Sequence, residues 1–394
     1  MNRALDPPQI ARNSLNTAKS RLATNPGVVL LGPRQVGKTT LAAAIAKEYP
    51  GAISLDLQRT TDRAKLTNLE AFLTNHRQKL VILDEVQTMP ELFSQLRPEI
   101  DASRIAGRFL LLGSASGRLL AQSSESLAGR VSYLELTPIL ASEISHSESL
   151  SALQELWLRG GFPLSYLASS TEQSHIWRSD FIQTFLSRDM REFGINIPAA
   201  TLHRFWRMLA HLHGQQLNAS AIAQSLGVLS HNTVQSYLDI MIDTMMVRKL
   251  EPHFVNIGKR LAKSPKVYVR DSGLLHTLLN IPDVDTLMGH PSAGASWEGF
   301  CIEQVCSQLP IGASLSYYRT AAGAELDLVV EIGSKKIAFE VKFSAAPTVT
   351  KGFWSSLEDI GASKAYVIAP VRDGWAMGND VNVISPSDIA GLDW

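Results

Sequence analysis

Short apolar runs alternate with amphipathic stretches over the first 145 residues. Runs at 28–31, 52–55, 79–83, 109–112 and 131–136 are rich in Val, Ile, Leu and Phe, the pattern of strands buried on both faces. Helical stretches separate them, beginning with one over 40–47, so a parallel sheet with helices on both faces is predicted. Residues 145–151 are polar and turn-rich, the composition of a linker, and helical periodicity then dominates to about 265. Trp157, Phe162, Trp177, Phe181 and Phe185 read there as packing residues. From 266 the pattern is mixed again: a helix over 296–309, strands at 314–319, 324–330 and 336–342, a helix over 350–360 and a strand at 365–368. Gly333-Ser334 suits a hairpin turn between the second and third of these strands. Three domains are expected, over 1–145, 146–265 and 266–394.

The first strand runs into Gly32-Pro33-Arg34-Gln35-Val36-Gly37-Lys38-Thr39-Thr40, the G-x-x-x-x-G-K-[ST] pattern between a strand and a helix. The glycines let the loop curl until successive N–H groups point inward at the positive end of the helix dipole, which makes it a cradle for nucleotide phosphates. Lys38 would reach the β- and γ-phosphates, and the Thr39 hydroxyl would ligate Mg²⁺. The third strand ends in Asp84-Glu85, two carboxylates at the edge where open α/β sheets bind ligands. Asp84 is placed to hold Mg²⁺ through water, and Glu85 to polarise the water that attacks the γ-phosphate. Two acids at a strand end can also mark a chain leaving the core, and the upstream cradle favours the catalytic reading. Ser114 ends the fourth strand, where an attacking water could be oriented, although Ala115-Ser116-Gly117 beside it suits an ordinary turn equally. Arg130 precedes the fifth strand. It is either a charge donor to the transferring phosphoryl group, in its own chain or across a contact in a homo-oligomer, or a solvated surface arginine.

In the middle segment, a helix of small and apolar residues within 218–228 ends at Gly227, and a second begins behind Ser230 as its N-cap, a helix-turn-helix pattern. Met245-Met246-Val247-Arg248-Lys249-Leu250 would open a wing. His231, Asn232, Thr233 and Gln235 would then face a DNA groove, with Arg248 and Lys249 on its phosphates. The same motif also serves as a packing module without base contacts. Residues 176–270 hold 12 Lys and Arg against 6 Asp and Glu, in a chain whose net charge is zero. That segregation favours nucleic acid as a partner, DNA rather than RNA. Met241, Met245 and Met246 stand at helical spacing and read as core filler.

In the last domain, Asp327 followed by Glu340-Val341-Lys342 reproduces the D then E-x-K arrangement of restriction-endonuclease-like nucleases. Alternation along a strand puts Glu340 and Lys342 on one side, and a hairpin lets Asp327 meet Glu340. These two hard oxygen donors, with Glu298 from the preceding helix, would hold Mg²⁺ or Mn²⁺, and Lys342 would stabilise a metal-activated hydroxide. Glu303, five residues beyond Glu298, faces elsewhere if Glu298 faces in.

The phosphate loop, Leu83-Asp84-Glu85-Val86-Gln87, Gly113-Ser114-Ala115 and Gly129-Arg130-Val131 resemble AAA-type ATP-binding proteins that carry a C-terminal DUF4143 region. The resemblance continues through Arg159-Gly160-Gly161-Phe162-Pro163, Ser187-Arg188-Asp189-Met190 and Lys266 to Leu274. It implies a P-loop NTPase parallel sheet with the additional strand, Glu85 as catalytic residue, Ser114 as sensor, and a middle segment that covers the nucleotide as a lid. The fold class expected is therefore α/β: an AAA-like P-loop sheet, a helical and winged-helix segment, then a restriction-endonuclease-like α/β domain.

Composition changes little in this picture. Hydrophobic residues make up 45% and charged residues 19%, as in folded proteins. The start lacks the apolar core of a signal peptide, and no run approaches the roughly 18 residues of a membrane span, so a cytoplasmic protein without membrane contact is expected. Cys301 and Cys306 suit core thiols rather than disulfides or zinc. The favoured expectation is Mg-ATP binding and hydrolysis coupled to DNA binding or processing, with metal-dependent cleavage by the last domain. Two alternatives are an ATP-driven DNA motor whose last domain grips without cutting, and an ATP-dependent signalling switch that binds a protein partner.

Overall fold

A computed structural model describes residues 10–114, 125, 127–144, 150–227, 231–254 and 261–394. The expected turn at Ala115-Ser116-Gly117 and the Ser230 cap lie outside these residues. Two compact units emerge, one ending at Pro138 and including Asp243–Met245, the other formed by Ile139–Ile242 and Met246–Trp394.

In the first unit, β1 (Gly27–Gly32), β2 (Ile53–Asp56), β3 (Val81–Asp84), β4 (Phe109–Ser114) and β5 (Val131–Glu135) form one sheet in the order β2-β3-β4-β1-β5. Every pairing is parallel. β4 lies between β1 and β3, the additional strand that the family resemblance implied. The unbroken apolar runs follow from burial on both faces. Val28 and Leu30 join Ala18, Leu22, Leu41 and Ile45 from helices Ser14–Thr24 and Lys38–Ala46 on one side. Val29 and Leu31 join Leu73, Phe93, Leu96 and Ile100 from helices Leu69–Asn75 and Leu92–Ala102 on the other. Because all strands run one way, the phosphate loop after β1, Asp84 at the end of β3 and Ser114 at the end of β4 gather at a single edge.

The second unit starts with helices. Phe162, Trp177, Phe181, Phe185 and Trp206 form a continuous series of ring contacts, with neighbouring centroids 4.8–6.1 Å apart. The paired glycines of Arg159-Gly160-Gly161 have a packing reason. Gly160 has φ +75°, and a Cβ there would lie 2.2 Å from Asp271 Oδ1; one on Gly273 would lie 2.2 Å from the Arg159 carbonyl. Asp271 accepts hydrogen bonds from Gly161 N at 2.8 Å and Leu274 N at 2.9 Å, joining this turn to the helix Ser272–Leu278.

Helices Ala199–His211, Ala219–Leu226 and His231–Asp243 are followed by β6 (Val247–Leu250), antiparallel to β7 (Lys266–Val269). The boundary expected at 265/266 falls between the two strands of this hairpin, immediately before β7. Isolated bridges also join Pro252 to Tyr317 and Leu261 to Thr320. Backbone pairing leaves no mark in composition, so the sequence pattern could not reveal it.

After helix Ala293–Cys306 comes a six-stranded sheet in the order β12-β13-β11-β10-β9-β8. β8 (Ser314–Arg319), β9 (Glu325–Ile332) and β10 (Lys335–Val341) form an antiparallel meander. Helix Lys351–Ile360 carries the chain to β11 (Lys364–Ile368), parallel to β10. The hairpin β12 (Trp375–Gly378) and β13 (Val381–Ile384) extends the sheet beyond β11, an addition the apolar pattern did not suggest because β12 is largely exposed. Among the described residues no helix is long and apolar enough to cross a membrane. Cys301 is fully buried and Cys306 half-buried, and they are not joined in a disulfide.

Candidate functional site: the phosphate loop and the C-terminal carboxylates

Backbone strain marks the loop. Gln35 has φ +62° and Gly37 φ +103°, and Gly37 immediately precedes the helix Lys38–Ala46. Left-handed residues alternating with right-handed ones turn successive N–H groups to one side, the geometry of an anion nest. Gly32 is needed for close approach, since a Cβ there would come within 2.5 Å of the Leu136 carbonyl oxygen. Val36 points the other way, into the core with Leu41 and Leu30. Pro33 is buried, whereas Gln35, Thr39 and Thr40 are exposed along the loop and first turn. Arg12, to which the sequence reading gave no role, braces the loop from behind: it donates to the carbonyls of Val36 at 3.3 Å and Thr137 at 2.5 Å.

Lys38 is 6% exposed and donates to the carbonyls of Gly32 at 2.9 Å and Pro33 at 2.8 Å. Burial pulls its pKa down to about 8, while Glu85 and Asp84 pull the other way. Thr39 Oγ1 donates to Asp84 Oδ2 at 2.6 Å, bringing together the two hard oxygens expected to bind Mg²⁺. Asp84 Oδ1 accepts from the Glu85 N–H at 2.9 Å, and Glu85 itself is left-handed at φ +57°. A non-glycine residue held in that region stores strain of roughly 1–3 kcal/mol, which is characteristic of functional turns.

Gln87 connects the two catalytic candidates. Its Nε2 donates to Glu85 Oε2, and its Oε1 accepts from the Ser114 N–H at 3.3 Å. The Ser114 hydroxyl is buried, with no partner among the described residues. An orphaned hydroxyl, a buried ammonium and a Thr–Asp oxygen pair at one sheet edge fit a nucleotide's phosphates and their Mg²⁺. Gln87 stood in the motif but received no role, because its reach depends on the turn at Glu85. Glu85→Gln is expected to lower kcat for ATP hydrolysis about 10²-fold while nucleotide affinity stays within a few-fold; phosphate release alongside equilibrium binding checks it.

Arg130 is not brought to this edge. It precedes β5, at the end of the parallel sheet opposite the loop, and makes two hydrogen bonds to Asp101, at 2.8 and 2.7 Å. The length of β5 lies between Arg130 and the loop, and its guanidinium is paired with Asp101.

In the second unit, His231 and Asn232 are exposed at the start of the helix His231–Asp243, and Thr233 and Gln235 are half-buried. Gln235 Nε2 donates to Asp239 at 2.7 Å. Arg248, expected on DNA phosphates, is turned inward against Glu303. Its NH2 lies 3.0 Å from Oε2, and Arg270 Nε lies 2.9 Å from the same oxygen. Lys249 pairs with Glu251 at 2.7 Å. Charge segregation weakens accordingly, since Arg178, Arg248, Lys266 and Arg270 are all bound internally. The acids that balance the last three, Glu298, Glu303 and Glu325, lie beyond the segment in which the excess was counted.

The expected carboxylates do converge. β9 and β10 are in register with Phe339 opposite Leu328, which puts Glu340 opposite Asp327 one step on. Asp327 Oδ2 accepts from the Val341 N–H at 2.8 Å, and Lys342 Nζ lies 2.6 Å from Glu340 Oε1. Burial raises the Asp327 pKa well above the carboxylate range, and Glu298 and Glu340 push it further. Burial raises Glu340 as well, against the opposing pull of Lys342. Glu298 lies on this side of its helix and Glu303 on another, about 140° round.

Lys266 was not foreseen here. Its ammonium stands 3.1 Å from Glu298 and 2.7 Å from Glu325, and Tyr268 donates to Glu298 at 2.6 Å. Period-two spacing of Lys266 and Tyr268 on one strand, and of Glu325 and Asp327 on another, was the available signal. Among the described residues no group of three His, Cys, Asp or Glu is arranged to hold a metal ion. Glu298 and Asp327, expected with Glu340 to hold Mg²⁺ or Mn²⁺, gather around Lys266, and Glu340 pairs with Lys342.

Three family models match the chain: an AAA domain over 24–145, a domain of unknown function (DUF8612) over 150–285, and a domain of unknown function (DUF4143) over 293–388. Among solved structures, the Walker-type ATPase PABY2304 of Pyrococcus abyssi is similar in fold. It is 14% identical with a TM-score of 0.50, covering 69% of this chain and 96% of that one. The uncharacterized proteins Rv2008c of Mycobacterium tuberculosis and Mb2031c of Mycobacterium bovis are each 41% identical over 377 residues, 96% of this chain and 83% of theirs. With an AAA domain of P-loop ATPase architecture at its start, the chain belongs to the family of these two mycobacterial proteins.

Proposed function

We propose that this protein binds and hydrolyses Mg-ATP and uses that cycle to control a grip on nucleic acid, DNA in the first instance. The observation that carries the nucleotide half is the joint placement of Lys38, the Thr39–Asp84 oxygen pair, Glu85 and the orphaned Ser114 hydroxyl at one sheet edge. Supporting the nucleic-acid half are the helix-turn-helix and its hairpin wing, with His231 and Asn232 exposed at the start of the second helix. Arg204 and Arg207 are exposed on the helix Ala199–His211, whose Phe205 packs against Tyr237. Gripping is favoured over cutting because an ammonium stands among the carboxylates that cleavage would require.

Phosphate release and strand cleavage, scored together on linear, branched and single-stranded DNA with and without ATP, test this reading. DNA-stimulated hydrolysis without cleavage is expected; hydrolysis indifferent to every DNA, with no salt-sensitive binding, would leave the signalling switch as the better account. Replacing Arg204 and Arg207 by Ala should flatten the dependence of log K on log salt by about one per arginine. An unchanged slope would remove both arginines from the interface.

A further inference from the structure

The carboxylate site of the second unit carries its own cations. Glu298, Glu325, Asp327 and Glu340 converge on it, met by two ammonium groups, Lys266 and Lys342. Lys342 takes Glu340 alone, at 2.6 Å. Lys266 stands among the other three: 2.7 Å from Glu325 Oε1, 3.1 Å from Glu298 Oε1 and 3.9 Å from Asp327 Oδ1. Its side chain is only 4% exposed. Glu340 Oε2 is buried and has no hydrogen-bond partner among the described residues.

Lys266 is held there by its strand. β7 is paired with β6 across the hairpin, and the Lys266 neighbour Val267 accepts from Gly214 N at 2.8 Å. Arg248 and Arg270, from the same hairpin and its end, clamp onto Glu303 of the helix that carries Glu298. A lysine so fixed pays little further entropy to stay in place, unlike one on an open surface. Mg²⁺ or Mn²⁺ would need oxygen ligands at about 2.0–2.2 Å from the space this ammonium fills, and would meet its charge at short range.

We propose that Lys266 is the resident cation of this site, taking the place of a divalent ion among Glu298, Glu325 and Asp327 and keeping the cluster closed to metal. The site is then a nuclease-like constellation whose counter-ion is covalently part of the chain. This inference is independent of the nucleotide reading, since its readout is metal binding without ATP.

The test is Mn²⁺ binding by the full chain, followed through the electron paramagnetic resonance signal of free Mn²⁺, in an Asp84→Asn background that removes the carboxylate beside Thr39. Lys266→Met is expected to create a Mn²⁺ site at least tenfold tighter than any in the parent, and adding Glu340→Gln should weaken it again. Lys266→Arg, which keeps the charge, should create none. A folded Lys266→Met protein that binds no more Mn²⁺ than its parent would overturn the proposal. So would a parent that already binds Mn²⁺ in a manner lost with Glu340→Gln. If Lys266→Met does not fold by circular dichroism, the parent with and without Glu340→Gln decides alone: a Glu340-sensitive site refutes the resident lysine, and its absence supports it.

Discussion

Lys38→Ala is expected to lower ATP hydrolysis about 10³-fold and to remove the stabilisation that ATP confers on the first unit. Lys38 is the one loop side chain that is both charged and buried, held over the Gly32 and Pro33 carbonyls at the edge where the phosphates would lie. Its loss leaves the nest of backbone N–H groups without the charge that distinguishes the transition state. Lys38→Arg should fail to rescue, because a planar fork cannot take the position of a compact ammonium folded against two carbonyls. At an ATP concentration a hundred times Kd the wild-type unit should gain about 2.7 kcal/mol, read as a rise in Tm that the variant lacks. With burial setting the Lys38 pKa at about 8, the protonated form is complete below that pH, so kcat/KM of the wild type should fall as pH rises through it. Hydrolysis within tenfold of wild type in Lys38→Ala would refute the loop as the hydrolytic site.

Glu303→Ala should destabilise the second unit by about 3–5 kcal/mol, the cost of leaving two largely buried guanidinium groups without their shared carboxylate. Replacing Glu303, Arg248 and Arg270 together by apolar residues of similar volume should cost much less, since the desolvation penalty goes with the charges. Burial alone would raise the Glu303 pKa, but Arg248 and Arg270 outweigh it and hold the group at about 2. A depressed folded-state value means the contribution is complete above the unfolded pKa of about 4.3 and is lost as pH falls from there through 2. Denaturant midpoints of the second unit between pH 7 and pH 2 should fall more steeply over that window for wild type than for Glu303→Gln. A shift below 1 kcal/mol for Glu303→Ala at pH 7 would show that the cluster is not a structural one.

The first unit was legible because its chemistry is local. Gly32 to Thr40 are consecutive, and Asp84 and Ser114 each end an apolar run, so strand direction alone carries them to one edge. What remained hidden was pairing between distant segments. Arg130 reads as free in a Gly-Arg-Val turn, yet Asp101, 29 residues earlier, takes its guanidinium. Arg248 reads as a wing cation beside Lys249, yet Glu303, 55 residues later, turns it inward. Asp327 and Glu340 lie on two strands joined by a short turn, with Lys342 just past the end of the second, so alternation and hairpin register were enough to bring them together. Lys266 comes from a hairpin 61 residues before Asp327, and nothing in its neighbours says which sheet it will meet.

Periodicity and motif spacing by themselves determined the parallel sheet of the first unit, its phosphate loop and the hairpin that aligns Asp327 with Glu340, because each rests on contacts within a strand, a turn or one hairpin. Only the tertiary structure decided which charges are available and which are spent. Burial makes an ion pair nearly obligatory for any charge that enters the core, and the partner it finds is set by how separate elements pack, a quantity that no local window of sequence contains.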